Sequence, residues 1–244
     1  MRIIRFIDDA GSERCGLESD TDQAELLVGD LYQGLEPSGE KATVKKTLAP
    51  LSPTNIFCIG LNYREHAAES GMEPPDQPVV FAKPTSAVCG PGDAIKLPAC
   101  QNHGPETDYE CELAVVIGKP ARNVSQADAL EYVLGYTCAN DVSARDWQMK
   151  YGGSQWCRGK TFDTFCPLGP CMVTADEIPD PNSLQIRTVL NGTVMQDWNT
   201  NDMIFDVPQL ISFLSGSTTL RPGTVILTGT PHGIGGARVP PVFL

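Results

Sequence analysis

The stretch "DYECELAVVIGK", residues 108–119, sets Glu110 and Glu112 two positions apart in a run that continues through Leu113, Ala114, Val115, Val116 and Ile117. Alternation along a β-strand puts Tyr109, Cys111, Leu113, Val115 and Ile117 on one face. It puts both glutamates on the other, about 7 Å apart at Cα. Carboxylates that close repel, and burying either alone costs several kcal/mol. Two arrangements satisfy them: a strand end where both stay in water, or a divalent cation bound between them. A second apolar strand, "GYTCAND", ends on Asp141. Asp141 reads either as a cap or turn residue or as a third ligand. Glu110, Glu112 and Asp141 together form an all-oxygen set that suits a hard cation, Mg²⁺ or Mn²⁺ with Ca²⁺ as a further option, and not zinc. Three carboxylates leave one net negative charge around a divalent ion. Arg145, Arg158 and Lys160 follow closely in sequence, with Gln148 as a neutral donor.

The segment "YREHAAES" carries His66 and Glu69 at i, i+3, on one face of a short helix. This spacing fits an ordinary surface contact. It also fits a dyad in which the carboxylate orients the imidazole for proton transfer. His103, in the polar loop "ACQNHGPETD", reads as solvated. His232, in "GTPHGIG", reads as a loop-surface residue or as one reaching a substrate mouth.

The elements that must position these groups are mostly strands between Pro/Gly turns: "RIIRFI", "AELLVGDLY", "NIFCIG", "PVVFAKP", "DYECELAVVIG", "VLGYTCAND", "LQIRTVLNGTVMQDW" and "TVILTGTP". Asn191-Gly192 between two alternating runs predicts a hairpin. Helices are few and short. "SQADALEYVL" and "SARDWQMKYG" open with Ser125/Asp128 and Ser143/Asp146 in capping-box register, and "DVPQLISFLS" begins on Asp206 as N-cap. The 23 glycines and 20 prolines fit the turns of a β-rich α+β fold. "TLAPLSP" (47–53) marks a boundary between a small N-terminal domain, residues 1–50, and a larger β-rich domain, residues 51–244.

A net charge of −12 argues against nucleic acid and anionic membrane surfaces as partners. No apolar run reaches the length of a membrane span, and "MRIIRFIDDAGSERCG" lacks the features of a signal or transit peptide, so the expected location is cytoplasmic. The nine cysteines form no CxxC pair and no zinc-site spacing, which predicts reduced thiols in structural positions.

Five segments, "GLNYREHAAE", "DYECELAVVIGK", "ANDVSARDWQ", "GKTFDTFCPLGP" and "LTGTPHGIG", resemble in order the signatures of the fumarylacetoacetate hydrolase family, over about residues 54–244. The resemblance is closest to small members with acylpyruvate hydrolase, oxaloacetate decarboxylase or oxaloacetate tautomerase activity. It implies a mixed β-roll with few short helices, a homodimer, one Mg²⁺ or Mn²⁺ per site, and small 2-oxo or 1,3-dicarbonyl acids as substrates. Carried over by motif, it implies Glu110, Glu112 and Asp141 as metal ligands, Lys160 beside the metal, Arg145, Gln148 and Thr230 on the substrate, and His66–Glu69 as a lid dyad.

The implied reaction is C–C hydrolysis of an acylpyruvate-type acid through a metal-stabilised enolate; decarboxylation and keto–enol tautomerisation use the same centre. The pattern departs from fumarylacetoacetases proper in one respect. They carry a fourth acidic ligand just before the catalytic histidine, and Glu65 does not match it. Cys111 is expected in the core. The chain ends at "ARVPPVFL", where family members continue through further strands, so a non-catalytic relative with a disabled site is the rival reading.

Overall fold

A computed structural model describes residues 1–101, 106–153 and 155–244; His103 lies outside them. Eleven strands form one mixed sheet. From one edge its path runs Gly34–Thr43, Gln23–Asp30, Glu13–Leu17, Arg2–Ile7, Met172–Thr174 and Val133–Asn140. It continues through Cys111–Ile117, Thr224–Leu227, Asn55–Gly60 and Val79–Lys83, while Lys46–Leu48 pairs with Arg2–Ile7. The pairings are antiparallel except that of Thr224–Leu227 with Asn55–Gly60. The N-terminal strands join the same sheet where Arg2 pairs with Val173 and Ile3 with Met172.

Both faces of the sheet centre are covered, which explains why Cys111–Ile117 is apolar on both sides. Leu113, Val115 and Ile117 pack with Leu210 and Ile211 of a helix, while Ala114 and Val116 pack against Cys58, Ala139 and Leu227. That helix, Val207–Ser215, starts at a capping box in which the Asp206 side chain accepts the Gln209 N–H and the Gln209 side chain accepts the Asp206 N–H. Its buried Val207, Leu210, Ile211 and Leu214 form the apolar stripe that docks it on the sheet. The hairpin of Gln185–Leu190 and Thr193–Asn199 turns on Asn191 at φ +50° and Gly192 at φ +80°. Both central residues of that two-residue turn lie in the left-handed region, as the Asn-Gly pair predicts.

Two expected helices take other forms. Ser125 and Asp128 close a turn on each other, the Ser125 hydroxyl donating to Asp128 Oδ2 at 2.6 Å, and only a 3₁₀ turn, Ala129–Tyr132, precedes the strand at Val133. Ser143 belongs to a short strand, Ser143–Ala144, paired with Thr107–Asp108, and a π-helix spans Trp147–Tyr151. The Ser143 hydroxyl donates to Asp141 O and accepts from Lys160, so it is not free to cap. All nine cysteines are free thiols, and Cys111 packs against the core on the Leu113 face. No helix of the described residues is long and apolar enough to cross a membrane.

Candidate active site

Adjacent strands bring the three carboxylates together. Glu112 pairs with Ala139 and Cys111 with Asn140, so Asp141, one step beyond its strand, comes to lie beside the glutamates. Asp141 N donates to Glu110 O at 2.9 Å, and the Asn140 side chain accepts the Glu110 N–H at 2.9 Å. Carboxylate oxygens of Glu110, Glu112 and Asp141 all lie within 4.8 Å of one another. Their exposures are 5%, 2% and 0%, so the solvated arrangement of the two glutamates is excluded.

Two buried lysines and the partly buried Arg145 surround them. Lys160 Nζ, at the end of a helical turn (Cys157–Lys160), donates to Glu110 Oε2 at 2.9 Å, Asp141 Oδ2 at 2.7 Å and Ser143 Oγ at 2.7 Å. Lys83 Nζ lies 2.7 Å from Asp141 Oδ1 and donates to the carbonyls of Val142, Lys160 and Phe165. Arg145 NH1 donates to Glu110 Oε1 at 2.6 Å and Gln148 Oε1 at 3.0 Å, while Nε donates to Asp108 Oδ2 at 2.8 Å. Burial disfavours the Glu110 carboxylate, but attraction to Lys160 and Arg145 outweighs burial and holds its carboxyl below the usual range. Glu112 behaves oppositely. Burial first, then the charges of Asp141 and Glu110, push it well above the usual range.

Glu112 accepts the Gly229 N–H at 2.7 Å and forms no ion pair among the described residues. Four carboxylates, counting Asp108, therefore meet three cations. Oxygens on opposite sides of a cation with bonds of 2.1–2.4 Å stand about 4.2–4.8 Å apart. The spacing, the hard donor set and a Glu112 carboxyl with no cation partner among the described residues fit a divalent cation.

His66 and Glu69 lie on a short helix, Arg64–Glu69. His66 Nδ1 is 3.3 Å from Glu69 Oε2, and both Glu69 oxygens accept the Gly233 N–H, at 2.9 and 3.1 Å. His66 is buried while Glu69 is exposed, so the pair sits at the cavity rim with its imidazole turned inward. A cavity of about 400 Å³ is lined by His66, Glu69, Glu110, Glu112, Arg145, Gln148, Lys160 and Thr230. The loop that follows Thr224–Leu227 ties this wall together. Its backbone N–H groups reach Glu112 from Gly229, Glu69 from Gly233, and Asp108 from Gly235 and Gly236.

Eight of the nine site residues that the resemblance implies thus face one cavity, and the ninth, Asp141, lies beside the glutamates without lining it. Arg158 and His232 do not line it. Arg158 stacks on Phe162 at 4.5 Å, and the His232 ring packs edge-on against Trp198 at 4.6 Å. Sequence reasoning missed Lys83, Asp108 and Gln196. The Gln196 amide donates to Thr230 Oγ1 at 2.8 Å and to Pro231 O, which fixes Thr230 at the cavity wall. The only sequence signal for Lys83 is a lysine closing an apolar strand before Pro84.

A family model described as fumarylacetoacetate (FAA) hydrolase C-terminal matches residues 55–244. The chain is 52% identical over 198 residues to oxaloacetate tautomerase fahd2, mitochondrial, of Xenopus laevis, over 81% of this chain and 61% of that one. It therefore spans about three fifths of that relative's length. It is 51% identical over 208 residues to fumarylacetoacetate hydrolase domain-containing protein 2 homolog of Dictyostelium discoideum, covering 82% and 67% of the two chains. A solved structure of 5-carboxymethyl-2-hydroxymuconate delta-isomerase from Mycobacterium smegmatis superposes with a TM-score of 0.84 at 38% identity, over 96% of this chain and 90% of that one. With the matched domain, the mixed sheet and the carboxylate-lined cavity in agreement, the chain belongs to the fumarylacetoacetate hydrolase family.

Proposed function

We propose that this protein is a divalent-metal-dependent enzyme that moves a proton at the carbon next to the carbonyl of a small 2-oxo acid, a keto–enol tautomerase or isomerase. The observation that carries the reading is the convergence, at one cavity, of the His66–Glu69 pair with the carboxylate set and its cations, Lys160 and Arg145. The frog relative's name and that of the mycobacterial isomerase support tautomerisation ahead of C–C hydrolysis, reversing the order expected from the sequence. Hydrolysis of an acylpyruvate stays as the second reading, favoured by the same dyad, which can activate water as well as substrate.

Glu110, Glu112 and Asp141 would hold Mg²⁺ or Mn²⁺, which supplies Lewis-acid polarisation of a chelated 2-oxo carboxylate. The protein's own groups do the rest. Glu69 accepts from His66 Nδ1–H, which leaves Nε2 as the base that takes the proton from carbon. The proton returns to the carbonyl oxygen, so the enol forms with no net gain or loss. Lys160 and Arg145 place positive charge where negative charge develops on oxygen. Gln148 and Thr230 orient the substrate carboxylate. Every one of these residues lies in residues 51–244, the proposed catalytic domain, and residues 1–50 form a small domain that extends its sheet.

The family supports a homodimer. The frog relative is named as mitochondrial, which weighs against the cytoplasmic expectation. The test is a panel of oxaloacetate, acetylpyruvate and a longer diketo acid with Mn²⁺, followed for enol formation, hydrolysis and decarboxylation. Tautomerisation of oxaloacetate faster than the other reactions supports the proposal; no turnover on the panel favours the non-catalytic rival.

A further inference from the structure

We infer that Asp108 is a positioning residue: it locks the Arg145 guanidinium and the Gly235–Gly236 turn against each other, and so sets the direction from which Arg145 addresses Glu110 and the substrate. The inference deepens the proposed function and rests on it for the substrate's part.

Asp108 is fully buried and does not line the cavity. Its Oδ1 accepts the Tyr109 and Gly235 N–H groups, each at 2.8 Å. Its Oδ2 accepts the Gly236 N–H and Arg145 Nε–H, each at 2.8 Å, and Arg145 NH2 stands at 2.8 Å from the same oxygen. Both carboxylate oxygens are therefore saturated. With Nε hydrogen-bonded from behind and NH2 in ion-pair range of the same oxygen, NH1 points to Glu110 Oε1 at 2.6 Å and Gln148 Oε1 at 3.0 Å. A planar guanidinium bonded at Nε on one side and at NH1 on the other has little freedom to rotate.

The turn fits only around this carboxylate. A Cβ on Gly235 would meet Asp108 Oδ1 at 2.5 Å and Val242 O at 1.9 Å; one on Gly236 would meet Asp108 Oδ2 at 3.2 Å and Arg145 Nε at 3.7 Å. The same loop carries Gly229, bonded to Glu112, and Gly233, bonded to Glu69. Asp108 thus fastens the far end of the loop that also holds Glu69 and Glu112.

Two readouts on the full chain test this. The first needs no substrate. In ¹⁵N spectra, the Arg145 Nε–H signal, assigned by its loss in Arg145→Lys, should be slowly exchanging in the wild type. It should lose that protection at least about tenfold in Asp108→Asn, an isosteric change that removes the charge and one acceptor. Retained protection overturns the inference. The second is a double-mutant cycle in kcat/KM with whichever panel substrate is turned over. Asp108→Asn should cost about tenfold or more in the wild-type background and under about threefold beside Arg145→Met, because the two act as one unit.

Equal losses in both backgrounds would mean a general structural role and sink the idea. Absence of all turnover would sink the proposed function, while the spectrum would still decide this inference. Should Asp108→Asn fail to fold, Gly236→Ala places its Cβ 3.2 Å from Asp108 Oδ2, tight enough that the carboxylate must shift. It should weaken the same protection, and an unchanged signal there contradicts the inference.

Discussion

Replacing Lys160 with Met removes an ammonium that is 2% exposed and that bonds Glu110, Asp141 and Ser143 within 2.9 Å. Taking one partner from a buried ion pair costs about 3–5 kcal/mol, because the other charge stays buried. Lys83 still holds Asp141 at 2.7 Å and Arg145 still holds Glu110 at 2.6 Å, so the expected loss is at the low end. For a chain of this size, about 2–4 °C of Tm follows each kcal/mol, giving a drop of about 6–12 °C.

The change also removes a positive charge that repels an incoming cation. Added Mn²⁺ should therefore raise Tm more in the variant than in the wild type. Saturation at one hundred times Kd is worth about 2.7 kcal/mol, or about 5–11 °C. Melts in EDTA and in Mn²⁺, followed by circular dichroism, measure both. A variant Tm within about 2 °C of wild type in EDTA, or a larger Mn²⁺ shift in the wild type, would refute the electrostatic account. Turnover should be lost in either case, because the enolate-side charge is gone.

His66→Ala should leave Mn²⁺ binding intact while slowing tautomerisation or hydrolysis by about 10²–10⁴, the scale of a general base. Glu69→Ala should mimic it, and near-normal rates in His66→Ala would remove the lid from the mechanism. Glu110→Gln and Asp141→Asn should each lower bound Mn²⁺ well below one per chain by elemental analysis; unchanged stoichiometry in both would end the metal reading.

The Glu69 carboxyl sits below its usual range: burial opposes this, but the His66 and Gly233 hydrogen bonds outweigh it. Such a group contributes stability in full above the unfolded value near 4.3 and loses it as pH falls through the folded value. Glu69→Gln should therefore melt below wild type at neutral pH, with the gap closing as pH falls through about 5 to 3. A constant gap over that window counts against the pairing.

The carboxylate set was legible because strand alternation and a turn-terminal Asp141 are local patterns, and so was the Asp206 cap. Long-range partners were not. Lys83 looks like an ordinary strand-end lysine until the fold brings Asp141 and three carbonyls to its ammonium. Asp108 precedes the glutamates as one more acid, and its role depends on Gly235 and Gly236, more than a hundred residues away. Gln196 reads as the polar half of an alternating strand, and only hairpin packing turns its amide toward Thr230. The helix expected over 125–134 shortens to a 3₁₀ turn although Ser125 and Asp128 do meet, and the one expected over 143–152 starts at 145, winds as a π-helix from Trp147, and has its serine engaged elsewhere. Ser125 closes on Asp128, and Ser143 on Lys160 and the Asp141 carbonyl.

The central claim joins one metal to one proton transfer, and a titration tests it directly. Protein freed of metal by chelation and dialysis receives Mn²⁺ in steps, while the rate of oxaloacetate keto–enol interconversion is followed alongside metal bound per chain. The account predicts negligible catalysis without metal and a rate that rises linearly to a plateau at one equivalent per chain. A rate that is already full without metal, or that stays at the uncatalysed level with one Mn²⁺ bound, would contradict it.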